Sequence, residues 1–447
     1  MAALAKTDQR WMWAVVPFYL SLGPLGTLIP LYLLKLGGTA ITVGLAITLY
    51  NGVTIPASII WGLVVDFTAW RRKLILMSYG TSTALLFFLY FARDALSVAV
   101  IYAGVGFFST ASSTPLNLLV METAEKRRWP SAFSLLNLLA SAGTTAGLIF
   151  ATAYTAIFSL RSMMVFLSIF AASSVATAAL TVKDPPVTFE RRSLSMHKDA
   201  LSARLAAMPY FFLRLPRPRH FYRFAKERWK ANNPIFPLYV GLFAFYIASG
   251  LFNTMITPGL YRKGLNESQV FMVIMTGYVI QTLSFYFSGR YIERVGEKRA
   301  GTLALFLRSA GYIGIAASFV LFSAEPAMYT ALVLYPLAAG FAYATFYAAS
   351  NVLVFKTLGT HAGSNLGIYS SLVAAATLLG SFISGYTSYY IGYYFTYLLA
   401  GAFLLVCAKL MSMVNVRSGF KGEAFLSVIT LLLCRTDTSL HCFFQTP

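Results

Sequence analysis

The chain has 447 residues, 58% hydrophobic and 11% charged, with a mean hydropathy of +0.68 and a formal net charge of +20. Soluble domains carry about 25% charged residues, so this composition excludes an ordinary soluble domain. The basic residues lie between apolar runs, so membrane topology rather than nucleic acid accounts for the charge.

Apolar runs of helix-spanning length recur at residues 11–36, 40–65, 74–92, 95–121, 131–157 and 162–182, and then at 235–260, 268–289, 300–323, 327–355, 365–388 and 391–413. About 20 apolar residues suffice to cross a hydrocarbon core, and in lipid each run must satisfy its own amides as a helix. The expected fold class is therefore an all-α polytopic membrane protein of 12 transmembrane helices. The first run is too long for the apolar region of a signal peptide and reads as a retained helix.

Lysine and arginine in short loops mark the cytoplasmic side. One side holds 13 of them, among them Arg71, Arg72, Lys73, Arg290 and Arg299; the other holds 5, Lys35, Arg93, Arg161, Arg262 and Lys263. The expected location is the cell membrane, multi-pass, with both termini cytoplasmic. The domains read as an N-terminal six-helix bundle at 1–183, a basic cytoplasmic linker at 184–233, a C-terminal six-helix bundle at 234–413 and a poorly ordered tail at 414–447. Within the linker, Tyr210 to Trp229 mixes aromatic and basic residues. That pattern fits either a segment lying on an anionic cytoplasmic leaflet or a solvated connection. Cys407, Cys434 and Cys442 show no framework or metal spacing, and neither a cofactor nor a metal is expected.

The two halves repeat. A shift of 227 residues lays Gly23 on Gly250, Thr27 on Thr254, Lys35 on Arg262, Gly37 on Gly264, Gly62 on Gly289, Asp66 on Glu293 and Arg72 on Arg299. A shift of 233 lays Thr144 on Thr377 and Gly147 on Gly380; a shift of 234 lays Asn117 on Asn351. The shift moves an even number of spans, so the halves have the same orientation. Parallel repeats of this kind are one plan for secondary transporters.

Between spans two and three the chain reads Gly62, three residues, Asp66, then Phe67, Ala69 and the basic cluster Arg71-Arg72-Lys73. The second copy reads Gly289, three residues, Glu293-Arg294, then Gly296 and Lys298-Arg299. This pair of motifs resembles the signature of the major facilitator superfamily, of prokaryotic type, over about residues 11–413. Phe67 and Ala69 stand where the pattern has Arg and Gly. The resemblance implies a fold of two pseudo-symmetric six-helix bundles working by alternating access. It makes Gly62, Asp66, Arg71, Arg72, Gly289, Glu293, Arg294, Gly296 and Arg299 gating candidates that latch the cytoplasmic face. A carboxylate at a helix end can pair with arginine and face a neighbouring helix N-terminus.

The resemblance also implies which spans line the cavity, and their polar residues become substrate-binding candidates: Tyr19, Asn51, Asn117, Asn137, Tyr246, Asn253, Tyr278, Gln281, Tyr343, Tyr347, Asn351 and Tyr369. Tyr343, Tyr347 and Asn351 recur every four residues and share a helix face. Any one of them serves equally well as interhelical glue. Gly143 and Gly147 read as a close-packing pair rather than an exporter signature. No Asp, Glu or His stands mid-span, which argues against a buried proton carrier; Asp66 and Glu122 come closest to the membrane, both near the cytoplasmic boundary, and coupling through Glu122 stays open. Arg308, roughly 13 Å in from its helix end, reads either as an anion contact or mobile charge or, in preference, as a snorkelling side chain, the resemblance implying that its helix is peripheral.

The expected function is movement of a small neutral or amphipathic organic solute by a monomeric permease. Coupling to H+ or Na+ is left open, and so is the direction of transport. No clustered nucleophile, base or metal set points to an enzyme. The rival from another class is a membrane sensor or scaffold that keeps the fold and moves nothing.

Overall fold

The computed structural model describes residues 10–67, 70–124, 129–183, 235–357 and 362–413. The linker, the tail, the side chains of Asp66 and Tyr369, and Cys434 and Cys442 lie outside the described residues. The described residues are mostly helical, joined by short turns and connections, without strands.

The first span is two helices. A 3-10 turn, Arg10–Ala14, leads into α1 (Val15–Leu22), and α2 (Leu25–Lys35) follows after Gly23-Pro24. Proline has no amide hydrogen to donate, so the ladder breaks there. Next come α3 (Ala40–Phe67), α4 (Arg71–Leu89), α5 (Ala95–Thr123), α6 (Trp129–Thr155) and α7 (Leu160–Thr181). The second half holds α8 (Ile235–Arg262), α9 (Glu267–Val295), α10 (Glu297–Leu321), α11 (Ala324–Tyr335), α12 (Tyr343–Thr357), α13 (Ala362–Tyr390) and α14 (Tyr393–Met413). The helices α11 and α12 form one span joined by a π-helical segment, Pro336–Ala342. It starts at a proline that cannot continue the regular hydrogen-bond ladder.

Ten of these spans are apolar and long enough to cross a membrane by themselves. The helices α4 and α13 complete twelve among the described residues. α4 is the less apolar because it opens on Arg71-Arg72-Lys73 and carries Ser78, Thr81, Ser82 and Thr83.

Helices of each half pack mainly on one another: α3 and α4 on α5, α1 on α6, α4 on α7; then α10 on α14, and α8 on α13 and α14. The largest crossings between the halves are α13 on α3 and α9 on α6, with smaller ones of α8 on α2 and α3 and of α9 on α2. The repeat seen in sequence is also a repeat of contacts. Gly23 lies against Thr144, where a Cβ would come within 2.8 Å of the Thr144 backbone. Its counterpart Gly250 lies against Thr377, with 2.6 Å to that carbonyl oxygen. Gly37 and Gly264, also counterparts, both turn the chain with positive φ, 82° and 109°. Only glycine adopts that conformation without strain.

Candidate functional site

Arg10 and Met413 lie on one face of the bundle, here the terminal face; Lys35, Arg262 and Glu267 lie on the opposite, far face. The contacts between the halves cluster toward the far face. The Lys35 ammonium pairs with the Glu267 carboxylate. Arg262 donates to the Gly38 carbonyl at 3.3 Å, and the Ser268 hydroxyl to the Thr152 carbonyl at 2.8 Å. Gly44 and Gly385 let α3 and α13 touch backbone to backbone. Nearer the centre, Ser141 and Thr282 share a hydrogen bond of 2.6 Å, and the Asn51 amide donates to the Ser381 hydroxyl at 3.2 Å. Toward the terminal face, Asn117, Asn137 and Tyr347 are exposed. Among the described residues, the contacts between the halves thus gather at the far face and the centre, while these three side chains toward the terminal face are exposed.

Between them lies a cavity of about 440 Å³. Phenols and hydroxyls supply its polar lining: Tyr19 of α1, Tyr50 of α3, Tyr102, Ser109, Thr110 and Ser113 of α5, Thr144 of α6, and Tyr278, which reaches in from α9. No charged residue lines it. The Tyr50 and Tyr102 rings stack at 4.3 Å and 16°. Gly106 makes room for this, because a Cβ there would meet the Tyr50 ring at 2.8 Å. Hydroxyls both donate and accept, so such a wall can satisfy a neutral polar solute from several directions.

Of the expected binding residues, Tyr19 and Tyr278 line this cavity. Asn51 instead ties α3 to α13. Tyr246 is buried, edge-on to Phe245. Gln281 and Asn351 are half-buried, and Asn253 is exposed. Tyr343 stacks on Tyr347 at 5.8 Å. The sequence reading missed Tyr50 and Tyr102, although Tyr102, Gly106 and Thr110 recur every four residues on one face of α5.

The motif residues take distinct places. Arg71 is buried at 7% exposure and pairs with Glu122 at 2.8 Å. Its position opening α4 brings it beside the end of α5, so in this state its described partner is Glu122. Arg72 donates to the Ala179 carbonyl at 2.7 Å, tying α4 to α7. Gly296 joins α9 to α10 with φ 88°, which explains glycine at that point of the motif. A Cβ at Gly62 or Gly289 would meet nothing within 4 Å. Glu293, Arg294 and Arg299 are exposed, and the ion pairs among the described residues do not include them.

Arg308 overturns one expectation. It does not snorkel; it is 1% exposed, among the largest fully buried side chains. Nε donates to the Tyr312 hydroxyl at 2.8 Å and Nη2 to the Ser249 hydroxyl at 3.3 Å. The guanidinium lies 4.9 Å from the Phe245 ring, 5.2 Å from Tyr312 and 4.9 Å from Tyr343. A desolvated cation over a ring gains on the order of 2 kcal/mol, and three rings offset part of the burial cost. Arg308 is also more than two turns from the helix end, too deep to reach the interface easily.

A two-fold-repeated bundle of twelve membrane helices, with an uncharged cavity between halves clasped at one face, is the architecture of a solute carrier. The model of the Major Facilitator Superfamily matches residues 11–321 and again 238–424, so the chain belongs to that family and is a membrane transporter. Solved structures share the fold. The nucleoside transporter NupG is 13% identical, with a TM-score of 0.65 over 92% of this chain and 99% of that one. A POT peptide transporter in complex with sulfate is 12% identical, with a TM-score of 0.65 over 92% and 96%. A bacterial homologue of the human lysosomal transporter Spinster, in an inward-facing and unoccupied conformation, is 12% identical, with a TM-score of 0.64 over 92% and 97%. At these identities the likeness is one of fold. No curated protein matches the chain by sequence.

Proposed function

We propose that this transporter moves a small neutral or amphipathic organic solute across the cell membrane by alternating access, with both termini cytoplasmic. In this reading the terminal face is the cytoplasmic one, and the described state is open inward. What supports the reading is the hydroxyl-lined cavity between halves whose described contacts gather toward the far face, with exposed polar side chains toward the other. Two like bundles rocking about that cavity would expose it to each side in turn. The motif carboxylates Asp66 and Glu293 would then close the cytoplasmic face in the opposite state, when the exposed Arg294 and Arg299 find partners.

The test is flux into vesicles reconstituted with the purified protein, using solutes chosen by their effect on its thermal unfolding. Asp66→Asn is expected to reduce flux severalfold while expression and unfolding midpoint stay near those of the parent. Full flux in that variant would remove Asp66 from the gate. A parent protein that binds solutes and moves none would favour a sensor.

A further inference from the structure

Arg308 carries a charge that the described residues leave unbalanced. Their carboxylates, Asp94, Glu122, Glu267, Glu293, Glu297 and Glu325, stand at helix ends or in connections. Arg308 lies well inside α10, and its hydrogen-bond partners, Tyr312 and Ser249, are neutral hydroxyls. Its Nη1 is buried and has no hydrogen-bond partner. An orphaned donor on an uncompensated guanidinium calls for an anionic oxygen, the acceptor arginine binds best. An ionisable group inside a membrane bundle also points to function by default.

The surroundings say what such an anion is attached to. Phe245 and Tyr343 lie over the guanidinium. Tyr343 is half-buried, and the ring stacked on it, Tyr347, is 38% exposed. A single ring layer thus separates Arg308 from an exposed aromatic surface on α12. The π-helical segment ends immediately before Tyr343. Such segments are frequent at functional sites.

Resting on the transport reading, we propose that Arg308 receives the carboxylate of the transported solute, while the rings of Phe245, Tyr343 and Tyr347 take its apolar body. The substrate class then narrows to amphipathic organic anions. Rotation of the Tyr343 ring would open the way to Nη1.

The experiment uses the purified full chain and matched carboxylate–amide pairs: octanoate and octanamide, phenylacetate and phenylacetamide, indole-3-acetate and indole-3-acetamide. Sodium chloride at equal ionic strength is the control. Affinities are read from shifts in thermal unfolding midpoint. At least one carboxylate is expected to bind about tenfold more tightly than its amide. Arg308→Gln should abolish that preference, and Arg308→Lys should keep part of it. Amides that match their carboxylates across the series overturn the proposal. So does chloride that reproduces the carboxylate shift, since it would mark an inorganic ion site. If Arg308→Gln does not fold, the parent pairs and Arg308→Lys decide alone: a lysine variant without preference for its carboxylate also overturns it. Vesicle flux separates this from the wider reading. Flux of neutral solutes only, unchanged in Arg308→Gln, keeps the transporter and removes the anion site. An anion preference in binding without any flux supports the site and counts against transport.

Discussion

Asp94 caps α5 from the connection before it. Its carboxylate accepts from the Ser97 amide at 2.8 Å and from the Ser97 hydroxyl at 2.7 Å. The Ser97 amide hydrogen bond, followed by the hydroxyl, holds the Asp94 pKa below its ordinary value. A depressed carboxylate stabilises the fold above its unfolded pKa and loses that contribution as pH falls through the folded one. The unfolding midpoint is therefore expected to fall on acidification below about pH 4, and less steeply in Asp94→Asn, which keeps a cap and cannot titrate. Identical acid profiles for the two proteins would show that the cap charge is irrelevant. Individual residues also differ in how readable they were. Gly296 follows from its motif, because the turn needs positive φ. Tyr19 and Tyr278 were legible as polar residues on cavity spans. Tyr50, Tyr102 and the burial of Arg308 were not, because helical spacing tells which residues share a face and not what that face meets.

At the scale of elements, the glycines of α6 set its distance from α1. A Cβ on Gly143 would press on the Val16 carbonyl, and one on Gly147 on the Leu20 carbonyl. Both obstacles are backbone, which cannot rotate aside, so the close-packing reading of this pair agrees with the crossing. Gly147→Ala is expected to cost about 1–3 kcal/mol, the usual penalty of overpacking. Gly80→Ala, where a Cβ meets nothing within 4 Å, serves as a control that leaves the helix intact or slightly firmer. Chemical unfolding in detergent compares them; equal stability of both variants would mean that α1 yields freely. The break at Gly23-Pro24 was present in the sequence as a proline inside an apolar run. The π-helical segment was not foreseen, since Pro336 alone does not tell whether a helix kinks, ends or widens.

For the whole molecule, the contacts at the far face hold the two halves together on that side. Lys35 and Arg262 are counterparts in the repeat, and each reaches from its own half to the other. The symmetry is incomplete: Lys35 finds a carboxylate, whereas Arg262 finds a backbone carbonyl. Lys35 is 38% exposed in its side chain, so the pair is partly screened by salt. Lys35→Ala with Glu267→Ala is expected to loosen the clasp. Spin labels at Ala156 and Ser323, exposed residues near the far-face ends of the two halves, should then report a larger population of long distances. High salt should move the parent in the same direction. A distance distribution unchanged by the double substitution would locate the clasp elsewhere, in the glycine contacts of α3 with α13.

Membrane class, the number and order of spans, and the internal repeat follow from sequence alone. Hydrocarbon accepts only long apolar helices, and a repeat of charged and glycine positions survives as spacing. The family motif was equally legible, because a turn between helices fixes its residue types locally. Tertiary structure decided the rest. It paired Arg71 with Glu122, stacked Tyr50 on Tyr102, drew Arg308 into a ring of aromatics and clasped the far face with Lys35 and Glu267. Each of these depends on how helices distant in sequence rotate and cross. Twelve apolar helices of similar composition leave that rotation undetermined until they pack against one another.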